Sequence, residues 1–414
     1  MLHPRKLVSP GWPLLAFLSA ATLTACGTGS QHTESAAAAR RACPATVAGD
    51  LVRVVKHVYV DGVESERTVL ARRYIETSAP LRTALERDDA IGVRAAAHAL
   101  VASGHMTNLR VIARGRTLAD VGGPAVAPLS GEIVGAAHEP LASYVTSVWS
   151  DEGLLAESDG LTQARIALRV GERSVGGSQP LPRGKLPTRG ELSIGGVAWQ
   201  YASFPARAYP SGAVRIYVLR PLSAVLSLCG RTREQTTVNT LGSIAKLIYS
   251  GEIGPRTRPQ VRRVEHDRAL LRAVVAGAII PIRIADADLL SQHIVRLRVL
   301  AADGSLLADI GGPYVLAPVP GTLRSGGRRI GSFLLSIQDD EGYLRLTRRL
   351  AGLRVLMYMG ATLVKNSLGP NPGGVPDSGP YTYRRARYQV VTLNAQAFPA
   401  GPLTIRVLVP IPYR

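Results

Sequence analysis

The heptapeptide Leu118-Ala-Asp-Val-Gly-Gly-Pro124 returns as Leu307-Ala-Asp-Ile-Gly-Gly-Pro313, and this repetition constrains the fold more than any other feature of the chain. The flanks keep the spacing as well: Pro124 and Pro313, Gly153 and Gly342, and Gly212 and Gly401 are each 189 residues apart. His105 with His293, Ser147 with Ser336, Asp151-Glu-Gly153 with Asp340-Glu-Gly342, Gln200 with Gln389 and Tyr209-Pro210 with Phe398-Pro399 extend the match. The reading is two copies of one module, since 414 residues exceed a single ordinary core. The boundary between copies falls near Pro221 to Gly230. Pro/Gly-rich stretches recur inside each copy, at 176–190 and 368–381, so they are module loops and not an interdomain linker.

Within copy one the hydrophobic period changes partway. Residues 47–60 and 64–103 read as helical, with Leu81, Leu85, Ile91, Ala95 and Leu100 near helical spacing, as a bundle edge or one long helix. The period then becomes two. Residues 108–115 read as a strand entering a turn at Gly115, with 116–121 as its antiparallel partner. The Gly-Gly-Pro that follows breaks the ladder, because glycine invites a bulge and proline cannot donate. A strand at 141–149, a turn at Asp151-Glu-Gly153, a short helix near 161–165, a strand from Ile166 and a hairpin of 196–204 with 213–219 complete the copy. Long N-terminal helix followed by antiparallel meander is an α+β plan.

The first 26 residues are not part of that plan. Arg5 and Lys6 form a positive region, Trp12 to Ala21 a short apolar one, and Leu23-Thr-Ala-Cys26 closes with small residues before a cysteine. This resembles the signal peptide of bacterial lipoproteins. The resemblance implies a signal at 1–26, lipidation of Cys26 and anchoring at the outer face of the cytoplasmic membrane. A plain secretory signal or an uncleaved anchor are the alternatives, although the apolar run is short for a membrane span. No later segment reaches about 18 uninterrupted apolar residues, so no other crossing is expected. Residues 27–42 are small and polar and read as a tether. With Cys26 lipidated, Cys43 and Cys229 remain, each just ahead of one repeat, in a compartment that permits disulfides. They are read either as a bridged pair, which would be worth about 4 to 5 kcal/mol by loop closure, or as two unpaired small hydrophobes. The expected domains run 43–222 and 229–414.

Hydrophobic content of 46% against 19% charged describes a chain able to bury a core. The formal net charge of +19 is spread over arginines in both copies, without a nucleic-acid motif. Outside the cell it points to anionic lipid, wall polymer or acidic ligands, or simply to a solvated Arg-rich surface.

Leu297-Arg-Val-Leu-Ala-Ala-Asp-Gly304 with Leu307-Ala-Asp-Ile-Gly311, and Arg329-Ile-Gly-Ser-Phe-Leu-Leu-Ser-Ile-Gln-Asp339, resemble the strand-turn-strand of Cache domains, the extracellular PAS-like sensor modules. The resemblance covers each copy and rests on pattern and spacing. It implies a central antiparallel sheet with a long helix behind it and a small-molecule pocket under loops on the other face. The Tyr-x-x-x-x-Arg-x-Trp signature of amino-acid-binding Cache domains is not found, which leaves the ligand class open.

Catalytic patterns are poor. Ser243-Ile-Ala-Lys246 has the Ser-x-x-Lys spacing of penicillin-binding enzymes, but their Ser-Asp-Asn and Lys-Thr-Gly are missing and copy one has Arg53-Val-Val-Lys56 there. The eight histidines show no metal spacing. His105 and His293 stand before the first strands, where a cap or packing role competes with ligand contact. Strand alternation puts Ser147 and Trp149 on one face, and Ser336 and Gln338 on the matching face of copy two. These four, with Trp199 and Tyr201 as aromatic walls, are the candidate ligand-binding residues, against the reading of a sheet face half covered by loops. The expected function is a surface-anchored, non-catalytic sensor or binding lipoprotein. It would need no metal or cofactor, would recognise a small molecule or envelope component, and would act with a membrane signalling or transport partner and without nucleic acid. The alternative is a structural protein of the envelope gripping anionic polymer.

Overall fold

The computed structural model describes residues 35–251, 253–254, 257–290, 294–312, 315–398 and 401–412. Cys26 and the rest of the stretch expected as a signal, His293 and Pro313 lie outside the described residues. Copy one opens with four helices, α1 (Ala36–Glu64), α2 (Glu66–Glu76), α3 (Ala79–Glu86) and α4 (Ala90–Ala102). Strands β1 (Asn108–Ala113), β2 (Arg116–Gly122), β3 (Ala125–Val126), β4 (Leu129–Val134), β5 (Pro140–Ser147) and β6 (Trp149–Ser150) follow. Then come α5 (Asp151–Thr162), β7 (Arg165–Val170), β8 (Arg173–Gly177), β9 (Arg189–Ile194), β10 (Val197–Tyr209), β11 (Gly212–Pro221) and a linking helix α6 (Leu222–Leu226).

Copy two repeats this order. Its helices are α7 (Arg233–Gly251), α8 (Arg258–His266), α9 (Arg268–Val275) and α10 (Ile279–Leu290). Its strands are β12 (Arg296–Ala301), β13 (Leu306–Gly311), β14 (Val315–Leu316), β15 (Val319–Ser325), β16 (Arg328–Ser336) and β17 (Gln338–Asp339). It ends with α11 (Asp340–Ala351), β18 (Arg354–Met359), β19 (Thr362–Asn366), β20 (Gly379–Tyr383), β21 (Ala386–Phe398) and β22 (Gly401–Ile411).

Three local departures from the sequence reading have plain causes. The helical stretch after residue 64 is three helices, because Ser65, Ser78 and Asp89 each turn a side-chain oxygen back onto the next helix's free N–H groups. The expected turn at Asp151-Glu-Gly153 is the first turn of α5, capped by Ser150 and carrying two acids where the helix dipole favours them. Helix α1 begins at Ala36, inside the stretch expected as tether.

The fold is α+β with antiparallel sheets, and each copy holds two of them. The small sheet of copy one runs β2-β1-β5-β4 and the large one β6-β3-β10-β11-β7-β8, with β9 also on β10. Copy two gives β13-β12-β16-β15 and β17-β14-β21-β22-β18-β19, with β20 on β21. The repeated heptapeptide moves the chain from small sheet to large. Gly122 ends β2 at φ +97, where a Cβ would sit 2.3 Å from the Thr107 carbonyl oxygen, and Gly311 ends β13 at φ +127, equally close to that of Val295. Only glycine fits so tight a departure, after which β3 and β14 join the large sheets.

The aspartate of the heptapeptide fastens the two sheets together. In copy one the Tyr209 hydroxyl, at the end of β10, donates to Asp120, and burial together with that carboxylate pushes the phenol up to about 12. In copy two Phe398 replaces the tyrosine. Asp309 is instead gripped by Arg296 at 2.9 Å and Arg298 at 2.6 Å, whose guanidiniums lie 4.5 and 5.0 Å over the Phe398 ring. Burial works against the Asp309 charge, but the two arginines outweigh it and hold the carboxyl below its ordinary value.

The main core is shared. Leu51, Val54, Val55 and Val58 of α1, Leu154 and Leu161 of α5, Leu241, Ile244 and Ile248 of α7, and Leu344 and Leu350 of α11 form one buried cluster with inward residues of both large sheets. Smaller cores lie under α2–α4 and under α8–α10. Cys43 and Cys229 are bonded, with Cα atoms 5.6 Å apart across 186 residues of sequence. Cys43 stands inside α1 and not ahead of it, so the bridge ties that helix to the turn before α7.

Asp286, fully buried on α10, has no hydrogen-bond partner for either oxygen among the described residues. Burial, and next the charges of Asp267 and Asp309, raise its pKa to about 7. Copy one has Ala97 at this place.

Two outcomes follow. Replacing both Cys43 and Cys229 with serine should lower the unfolding free energy by about 4 to 5 kcal/mol in denaturant titration, as should a strong reductant. Because the Asp286 pKa is raised, the folded state holds a proton that the unfolded state has lost, so its share of stability is present below pH about 4 and is lost as pH rises to about 7. Asp286→Ala should therefore be more stable than the parent at pH 8, by up to about 4 kcal/mol, with the gap closing toward pH 4.

Candidate functional site

The six residues singled out in the sequence fall into separate places. Ser147 is fully buried at the corner between the sheets, where its hydroxyl donates to the Val126 carbonyl and accepts from the Trp149 N–H at 3.1 Å. Trp149 lies on α1, so close to Gly62 that a Cβ there would sit 2.4 Å from its ring. Ser336 holds the same buried corner in copy two. Gln338 lines a cavity of about 340 Å³ with Asp339, Arg345 and Arg349 at the start of α11. Trp199 and Tyr201 sit apart from these, on the outer face of the large sheet, among Leu181 and Leu186 of the Pro/Gly loop. His105 stacks on Tyr74 with ring centres 4.5 Å apart. Ser243 and Lys246 are on α7, with Lys246 exposed.

The Pro/Gly loops cover the outer faces of both large sheets and are clamped there by an arginine on a tyrosine. In copy one Arg169 of β7 lies 6.0 Å from the Tyr217 ring on β11 and donates to the carbonyls of Glu172 and Gly184. In copy two the pair has changed strands. Arg406 is on β22, 4.2 Å over Tyr358 of β18, and reaches the Val375 carbonyl at 2.5 Å and Asp377 at 2.6 Å. Positions 169 and 358, and 217 and 406, are equivalent by the 189-residue offset. The interaction was kept while its two members exchanged strands.

A polar cavity lies beside that clamp in copy two. It measures about 680 Å³, within the range of small-molecule sites, and lies between the first turns of α7 and the β20–β21 edge. Helix α7 offers Thr232, Glu234, Gln235 and Asn239, and the strand side offers Asp377, Ser378, Gln389 and Thr392. The Gln389 amide donates to Glu234 at 2.9 Å from the opposite wall. Glu234 stands in the first helical turn, where the helix dipole favours its charge. Asn239 and Gln235 tie the helix start to the incoming chain, bonding the Leu228 carbonyl at 3.1 Å and the Arg231 N–H at 2.9 Å.

Copy one shows what this edge looks like unfurnished. Tyr59 and Tyr249 hold equivalent strand N–H groups, of Arg207 at 2.9 Å and Gln396 at 2.8 Å, and set the helix alignment. Thr232, Glu234, Gln235 and Asn239 then correspond to Ala42, Pro44, Ala45 and Gly49. Gln200, the partner of Gln389 by position, is buried with its carbonyl oxygen unpaired among the described residues. The signal for this site was therefore in the sequence, as a run of small residues in one copy set against polar ones in the other. Residues that the copies share do not carry it.

Among the described residues no group of three or more His, Cys, Asp or Glu is placed to hold a metal ion. The cavity presents carboxylates, hydroxyls and amides, groups that can hydrogen-bond a polar molecule.

No protein-family model and no curated protein matches the chain. Solved structures with similarity include an extracellular ligand binding receptor from Desulfohalobium retbaense DSM5692, 10% identical, with a TM-score of 0.22 over 53% of this chain and 47% of that one. The chain thus spans about half the length of that receptor. Another is the ligand-binding domain of the Pseudomonas fluorescens chemoreceptor CtaA in complex with L-isoleucine, 10% identical, with a TM-score of 0.25 over 42% of this chain and 95% of that one.

The exchanged clamp can be checked by making the exchange in copy one. Arg169→Tyr alone should cost about 2 to 3 kcal/mol, through loss of the loop carbonyls' donor and of the stack. Adding Tyr217→Arg should recover most of it, as read by paired denaturant titrations.

Proposed function

We propose that the chain is a non-catalytic binding protein of the cell exterior, held at the membrane by lipid on Cys26, and that copy two receives a small polar ligand in the cavity between α7 and β20–β21. The observation that carries this reading is the furnishing of that cavity. Glu234 and Gln389 face each other across it, and copy one carries Pro44 and an unpaired Gln200 instead. A lining of carboxylates, hydroxyls and amide oxygens complements a ligand rich in donors, such as a hydroxylated or amine-bearing metabolite. The Cys43–Cys229 bond supports an oxidising compartment. No helix among the described residues is long and apolar enough to cross a membrane. The ligand state would be passed to a membrane partner.

A thermal-shift screen of amines, amino acids, polyols and sugars tests the reading. A true ligand at a hundred times its Kd should stabilise the protein by about 2.7 kcal/mol. Glu234→Ala and Gln389→Ala should each remove that shift while Trp199→Phe keeps it. A screen with no stabilising compound, or a shift indifferent to Glu234→Ala, rejects this cavity as the ligand site.

A further inference from the structure

In copy two the α9–α10 hairpin carries an apolar, exposed apex. Helix α9 stops at Val275, the chain turns through Ala276, Gly277 and Ala278, and α10 starts at Ile279. Val275, Ile279, Ile280 and Ile284 are 62%, 54%, 73% and 59% exposed. The inward side of the hairpin is already satisfied, with Leu270, Ala273, Val274, Ile282 and Ala285 in the small core. The outer residues therefore add nothing to that packing.

Copy one makes the same turn from different residues. Glu86, Arg87, Asp88 and Asp89 stand where copy two has Val275, Ala276, Gly277 and Ala278, Ala90 and Ala95 stand where it has Ile279 and Ile284, and only Ile91, 81% exposed, matches Ile280 in kind. The backbones agree: Asp88 and Gly277 have φ of +54 and +62, and the N–H groups of Asp89 and Ala278 bond the carbonyls of Ala84 and Ala273 at 2.9 and 3.0 Å. The turn does not require apolar side chains, and an exposed cluster of them is a solubility liability unless something covers it. Exposed Arg272 and Arg283 flank the apex, and Arg268 lies one turn further down α9.

We propose that this apex is a membrane-insertion tip. Ile279, Ile280 and their apolar neighbours enter the acyl boundary of an anionic bilayer, while Arg272 and Arg283 meet the lipid phosphates. Apolar residues flanked by arginines make the pattern of interfacial anchors, although Asp288, one turn beyond Ile284, shares a groove with Arg272. A second copy fits less well, because a stable protein interface uses roughly 20 to 30 residues a side and a chain of net charge +19 repels itself. A lipid on Cys26 would hold the chain near the bilayer, and the tip would give it a second contact there. The tip would also fix which way the copy-two module faces.

The test uses the full chain carrying Cys26→Ser, so that no acyl group contributes, with phosphatidylcholine vesicles that contain or lack one-third phosphatidylglycerol. Co-sedimentation with the anionic vesicles is expected, and Ile279→Ser with Ile280→Ser should weaken it by about tenfold or more. Giving copy two the turn of copy one, through Val275→Glu, Ala276→Arg, Gly277→Asp and Ala278→Asp, should do the same without changing the melting temperature. Ile280→Trp should shift its emission to the blue on anionic vesicles and be quenched by brominated lipid. Unchanged vesicle binding in the serine variant, or an Ile280→Trp emission indifferent to vesicles, overturns the proposal. So does a parent dimer in sedimentation equilibrium that the serine variant loses while vesicle binding persists.

Discussion

The contact between α1 and α7 is the constraint on which the rest depends. Each large sheet buries an inward face of Val, Ile and Leu, and the layer that covers it is made of helices from both copies. Strip one copy away and α1 or α7 would turn a row of valines, leucines and isoleucines to water, at about 25 cal/mol for every Å² exposed. The repeat is therefore one folding problem with two halves. Its polar elements respect the contact: Asp50, buried on α1, bonds Thr237 of α7 and is paired with Arg53 at 3.2 Å, although burial raises its pKa. Arg349 of α11 reaches Asp61 of α1 at 3.0 Å, and the Cys43–Cys229 bond holds the same junction covalently.

Around that fixed frame the copies have kept interactions and exchanged their chemistry. Asp120 and Asp309 both fasten a small sheet to a large one, the first through a tyrosine hydroxyl and the second through two arginines lying on a phenylalanine. The loop clamp is an arginine on a tyrosine in both, with the strands reversed. Such replacements leave topology untouched, because what the fold requires at each point is a donor reaching an acceptor or a flat ring under a guanidinium. The identity of the side chain is left free.

The repeat, its constant spacing, the α+β class, the first hairpin, the last hairpin and the role of Gly-Gly-Pro as a chain crossover were all legible in the sequence. They follow from periodicity and from glycine and proline, which act on neighbouring residues. What was not legible was non-local. Two sheets per copy could not be seen, because β3 and β14 are two residues long and have no period. The caps at Ser65, Ser78 and Asp89 were readable one by one but were outweighed by the continuous apolar spacing of 64–103. The serine at 147 and 336 is buried at the corner between the sheets in both copies, and in copy one its hydroxyl bonds the Val126 carbonyl. Retention between copies marks what the frame needs, and divergence marks what one copy does alone.

That distinction decides where function is to be sought. At three equivalent points the two copies differ in chemistry on the same backbone. Ala97 packs where Asp286 is buried without a partner, Glu86 and Ala90 stand where Val275 and Ile279 expose hydrocarbon, and Ala45 and Gly49 stand where α7 faces the cavity with Gln235 and Asn239. At the first two places folding alone favours the copy-one solution, since the same backbone accepts it. Departures from local consistency persist where something other than folding selects them. Copy one then serves as the half of the core that copy two cannot supply for itself, and the stability stored in that shared core is what allows copy two to carry an unpaired acid, a wet cavity and an exposed apolar turn together.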